Sequence, residues 1–104
     1  MQELTKDADK LICSVYKSFL EKRKAGESKS NAKRFNSNFY QGIKALSSWS
    51  QSDISDTLKE LKNAGFIKLF IHGSFELNND AIIYMENRFV NGLSDVTDFI
   101  SKFI

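Results

Sequence analysis

The chain is short of the residues that staple or anchor small proteins. Its 104 residues include one cysteine, Cys13, one histidine, His72, and no proline. A single thiol closes no internal disulfide, and one Cys with one His falls short of a structural zinc set. A reducing compartment suits this. No segment approaches the roughly 20 apolar residues of a membrane span. The first residues, Met1 to Asp7, are polar and of mixed charge, without the apolar stretch of a signal peptide. Cytoplasmic placement away from membranes is the expectation.

Catalytic signatures are missing too. There is no nucleophile–base pair, no Gly-rich phosphate loop, and no carboxylate pair at a spacing that suggests a pocket. Asp95 and Asp98 are three apart, but they lie near the start of a helical segment, where acids suit the dipole. The expectation is a protein that is not an enzyme and carries no cofactor or metal.

What is present suffices for one domain. The length fits a single unit, 1–104, and 41% hydrophobic content supplies one core. Charged residues, at 27%, are at the ordinary globular level. Net charge is +2 but unevenly spread. Residues 1–50 hold ten Lys/Arg against five Asp/Glu, a balance of +5, and residues 51–104 hold five against eight, a balance of −3. The densest basic run goes from Lys22, Arg23 and Lys24 through Lys29 to Lys33 and Arg34. It is either a solvated helix end and loop or a surface that attracts phosphate.

Leu4, Ala8, Leu11, Val15 and Phe19 recur at helical spacing, widened by Ile12, Tyr16 and Leu20, and predict a helix over 4–24 that stops near Gly26. The stretch 25–31 is too short for a domain linker. Residues 30–47 read as helical overall, interrupted at Asn36-Ser37-Asn38. Ser50 caps a clear helix over 51–64, with Asp53 at the capping-box position and Ile54, Thr57, Leu58 and Leu61 on one face. The run Phe66 to Ile71 predicts a strand, His72-Gly73 a turn, and Ser74 to Leu77 a returning strand. A helix carrying Ala81, Ile82, Tyr84, Met85 and Phe89 follows, then a last one from Ser94 onward.

The run Ser50 to Ile67, with its polar helix start, Leu58 and Leu61, Ala64-Gly65 and the pair Phe66-Ile67, resembles the third helix and wing entry of the winged helix-turn-helix superfamily. Phe75-Glu76-Leu77 followed by Ala81 to Glu86 resembles its post-wing pattern, and the likeness covers about 11–89. It is similar to small winged-helix proteins of bacterial and phage genomes such as the YjcQ-like group. The resemblance implies an α+β winged helix-turn-helix: a three-helix core, a two-stranded hairpin wing and extra C-terminal helices. It further implies a DNA-binding protein of the transcriptional-regulator type, with double-stranded DNA as partner.

In such a protein the third helix enters the major groove, so Ser52, Ser55, Lys59 and Lys62 would face the DNA. Lys68 and His72 would lie near backbone or minor groove, and Lys29, Lys33 and Arg34 would contact phosphate. The third helix nevertheless carries Asp53, Asp56 and Glu60 against Lys59 and Lys62, a net charge of −1 that phosphates would repel unless the acids turn away. The alternative is a winged-helix adaptor that binds protein rather than DNA.

Other residues have simpler readings. His72 suits a water-exposed turn, Cys13 a packing thiol, and Trp49 a staple at the entry to the third helix. Val96, Phe99, Ile100, Phe103 and Ile104 form a terminal apolar stripe that something must cover. Either helix 1 of the same chain or a second subunit would serve. The other helices already supply a core, which favours a homodimer through 93–104.

Overall fold

The computed structural model describes residues 3–102. The architecture is α+β, five helices around a small antiparallel sheet. The elements are α1 (Lys6–Lys24), α2 (Lys29–Ala32), β1 (Arg34–Phe35), α3 (Gln51–Asn63), β2 (Ile67–Leu69), β3 (Phe75–Leu77), α4 (Asn79–Arg88) and α5 (Leu93–Ser101). Among the described residues, no helix is long and apolar enough to cross a membrane.

The centre of the molecule is α1. Every residue from Leu11 to Tyr16 is buried, so the middle of this helix has no solvent face. The other helices pack around it. The buried Ser14 hydroxyl donates to the Lys10 carbonyl at 2.9 Å, which removes the cost of burying it unpaired. Thr5 caps the helix by accepting from the Ala8 amide at 3.2 Å.

The segment expected to be helical over 30–47 is the main departure. It forms one helical turn, then β1, then two short 3₁₀ turns at Phe39–Gly42 and Lys44–Leu46. Arg34 therefore lies in a strand, and Lys33 caps the single helical turn before it. The cause is tertiary. Phe35 stacks on Phe75 with ring centroids 5.1 Å apart, and Phe39 meets the same ring edge-on at 4.9 Å. The Leu77 amide donates to the Lys33 carbonyl at 2.8 Å, tying the segment to β3.

The expected two-stranded wing is thus a three-stranded sheet in the order β1-β3-β2. Its pleat separates two faces. Phe35, Phe75, Leu69, Ile67 and Leu77 form the inner side, while Arg34, Glu76 and Lys68 stand in register on the other. The strands β2 and β3 are joined by a tight turn in which His72 takes φ 72°. The Gly73 amide donates to the Phe70 carbonyl at 3.3 Å, which places His72 at the left-handed position of a type II turn.

Part of the terminal stripe is covered within the chain. Val96 and Ile100 are buried as α5 folds back along α1, and Phe99 lies against Phe89 at 5.7 Å. Gly92, at φ 64° and ψ −122°, makes the reversal that brings α5 there. Val96 and Ile100 are thereby engaged by α1 instead of facing a second subunit. Phe103 and Ile104 lie outside the described residues.

Candidate nucleic-acid interface

The helix α3 is fixed by its buried face, Ile54, Thr57, Leu58 and Leu61, and by a complete capping box. Ser50 Oγ accepts from the Asp53 amide at 3.1 Å, and the Asp53 carboxylate accepts from the Ser50 amide at 3.3 Å. The residues left outside are Ser52, Ser55, Lys59 and Lys62. Their spacing of three, four and three puts them on one stripe along the helix. All are exposed, and none of these side chains has an internal partner among the described residues.

The acids of α3 are largely engaged elsewhere. Asp53 closes the capping box. Glu60 accepts from the Thr5 amide at 3.0 Å and from the Thr5 hydroxyl at 2.8 Å, locking the start of α1 to the end of α3. Asp56 alone remains on the outer face. The repulsion expected from the helix's net charge is therefore reduced by where its carboxylates point.

A groove of about 340 Å³ runs between α3 and the β2–β3 turn. Ser55 and Lys59 form one wall and Phe70, His72 and Gly73 the other, with Ile54, Leu58 and Leu69 beneath. Ser37 and Tyr40, from the segment after β1, close one end, and Gln51 also lines it. No carboxylate lines this groove. Lys68 projects from the outer face of β2 and forms no ion pair among the described residues.

The remaining candidates behave differently. Lys29 is exposed at the start of α2. Lys33 and Arg34 both pair with Glu76 on β3, at 3.7 and 3.3 Å. Lys22, from the same basic run, donates to the Arg34 carbonyl at 2.8 Å and lies 3.9 Å above the Phe35 ring. Burial there pushes its pKa below the ordinary lysine value. None of these three side chains reaches the groove beside α3.

Cys13 is fully buried and donates a weak hydrogen bond to Asp9 at 3.8 Å. Burial first, and the Asp9 charge second, push its thiol up to about 12, so it is a packing residue rather than a nucleophile. Asp9 in turn holds Arg88 by a two-pronged ion pair, and the Arg88 guanidinium covers the Phe99 ring at 4.6 Å. The Asp9 hydrogen bonds raise the Arg88 pKa above its ordinary value. His72 is exposed at the hairpin tip, and Trp49 packs against the core with Lys10 5.8 Å above its ring. Among the described residues no group of three His, Cys, Asp or Glu comes together as a metal site.

The sequence reading passed over Phe70 and Ile71, which are 49% and 82% exposed beside the groove. Alternation was the available signal: with Ile67 and Leu69 inward, Phe70 has to point out. No protein-family model matches the chain, and no curated protein or solved structure is significantly similar to it.

Proposed function

We propose that the chain is a winged-helix protein that binds double-stranded DNA in the cytoplasm, as a transcriptional regulator of bacterial or phage type. It works by binding rather than by catalysis. In this reading α3 lies in the major groove and the β2–β3 turn is the wing. The element order supports it: helix, strand, turn-rich segment, helix, then a hairpin whose returning strand sits between the other two. In the winged-helix reading the second helix is reduced to 3₁₀ turns.

The observation that carries the proposal is the free stripe Ser52, Ser55, Lys59 and Lys62 on a helix where two of three acids, Asp53 and Glu60, are turned onto caps. Serines offer hydrogen bonds to base edges, and lysines reach phosphate or guanine. Lys68 extends the same charge onto the hairpin, where His72 adds a ring nitrogen able to hydrogen-bond.

A fluorescence-anisotropy titration on a random duplex, repeated across a salt series, tests this. Phosphate contacts make log affinity fall linearly with log salt, by about 0.9 per contact. A slope that drops by about 2 in Lys59→Glu with Lys62→Glu supports the reading. Absence of binding by the intact chain at low salt overturns it. The exposed Phe70 and Ile71 favour the second reading, an adaptor that docks a protein partner; in that case no salt-dependent DNA binding is seen.

A further inference from the structure

The hairpin tip is unusual in what it exposes. Phe70 and Ile71 are 49% and 82% accessible, yet they lie beside cations: Lys59 shares the groove with Phe70, and Lys68 stands two residues before it. Two other exposed apolar side chains differ in setting. Ile83 and Tyr84 sit on α4 with Asp80 and Glu86 close in sequence. The hairpin tip combines exposed apolar surface with positive charge, and no carboxylate lines its groove.

The tip is also held firmly. The Phe70 amide donates to the Ser74 carbonyl at 2.8 Å, and the Gly73 amide returns to Phe70. Gly73 is pressed against the segment after β1, where a Cβ would come within 3.3 Å of Ser37 Cβ. Its φ of 85° disfavours any other residue as well. A pinned apolar tip loses little freedom on binding, so its burial is not offset by ordering.

We propose that this tip is a DNA wedge: Phe70 and Ile71 enter the minor groove and part a base step while α3 occupies the adjacent major groove. The inference rests on the DNA-binding reading above. Stacked bases present apolar faces between two rails of phosphate, the chemistry that an apolar tip flanked by lysines complements. Inserted apolar side chains unstack a step and bend the duplex by about 20–90°. Pyrimidine–purine steps such as TA part most easily, whereas A-tracts are stiff. The wedge therefore gives a preference for deformable sequence without any base-edge contact by the tip.

The experiment uses the full chain and two end-labelled 30-base-pair duplexes, one with a central TA step and one with an A-tract. Energy transfer between the ends reports bending, and anisotropy reports affinity. The wild type is expected to bend the TA duplex and to bind it several-fold tighter than the A-tract. Ile71→Ser, at an exposed site where thermal melting should be unchanged, is expected to abolish the bend and equalise the two affinities. Ile71→Lys is expected to bind tighter at low salt yet leave the duplex straight. A straight TA duplex on the wild type overturns the wedge while leaving the DNA reading standing, as does an undiminished bend with Ile71→Ser. Conversion of a wild-type dimer to a monomer by Ile71→Ser, with the bend unaffected, overturns it in favour of a protein contact. Failure of the wild type to bind either duplex at low salt overturns both.

Discussion

Two basic regions of this protein look alike in composition and differ in what they can do. Lys22, Lys33 and Arg34 belong to the densest positive run of the chain, yet each has an internal partner: the Arg34 carbonyl, or the Glu76 carboxylate. Lys59, Lys62 and Lys68 are more thinly spread, in the half of the chain with net charge −3, and none has an ion-pair partner among the described residues. The apolar faces divide the same way. Val96 and Ile100 on α5 are engaged by α1, whereas Phe70 and Ile71 at the hairpin tip are in water. Charge or apolarity counted along a sequence measures supply. What is available to a partner is the part the fold has not already paired.

The largest effect should come from removing the engaged apolar face. Deleting residues 93–104 uncovers α1, and each buried aliphatic side chain lost contributes about 1.5–3 kcal/mol. The expected outcome is a sharply lowered melting temperature, with the intact chain running as one chain's mass in light scattering. A truncated chain that melts unchanged would break the comparison at α5. Next, Leu58→Ala removes a fully packed side chain beneath the free stripe and should cost about 2–5 kcal/mol in chemical denaturation.

Lys59→Glu with Lys62→Glu should leave stability within about 0.5 kcal/mol, since surface substitutions away from special contacts usually do. DNA affinity at low salt should fall by a factor on the order of 10 to 100, as two phosphate contacts become repulsive. Lys33→Glu with Arg34→Glu should show the reverse pattern. Three carboxylates would then crowd β3, so denaturation should register a loss of about 1 kcal/mol while DNA affinity changes less than for the α3 pair. Equal losses of affinity from the two double variants would erase the distinction between the regions. The smallest effect is expected for Glu76→Gln, which releases Lys33 and Arg34. Stability should drop by less than about 1 kcal/mol and DNA binding should tighten slightly, with a steeper salt slope.

Much of the framework was legible. The 3.6-residue stripe of α1, the Ser50–Asp53 capping box, the glycine stop after α3 and the His72-Gly73 turn all rest on local rules, and the structure has each of them. The segment 30–47 was misread as helical because a two-residue strand has no period to detect; β1 exists only because Phe35 finds Phe75, forty residues away. The burial of Val96 and Ile100 against α1, where a homodimer face was expected, was hidden for a related reason. A helical apolar face declares that it must be covered, but not by what. The site fared similarly: the outward stripe of α3 followed from its spacing, whereas the loss of Lys33 and Arg34 to Glu76 and the exposure of Ile71 did not.

By itself the sequence determined the periodic elements and their ends, because helix period, capping and turn chemistry act over a few residues. It also determined which residues form the two faces of α3. Only the tertiary structure decided that α5 closes onto α1, that β1 joins the hairpin, and that Glu60 turns to Thr5 while Glu76 takes two cations. Those choices are pairings between residues distant in the chain. Each depends on where a partner stands in space, which no local pattern encodes, and together they leave α3 and the hairpin tip as the surface still open to a partner.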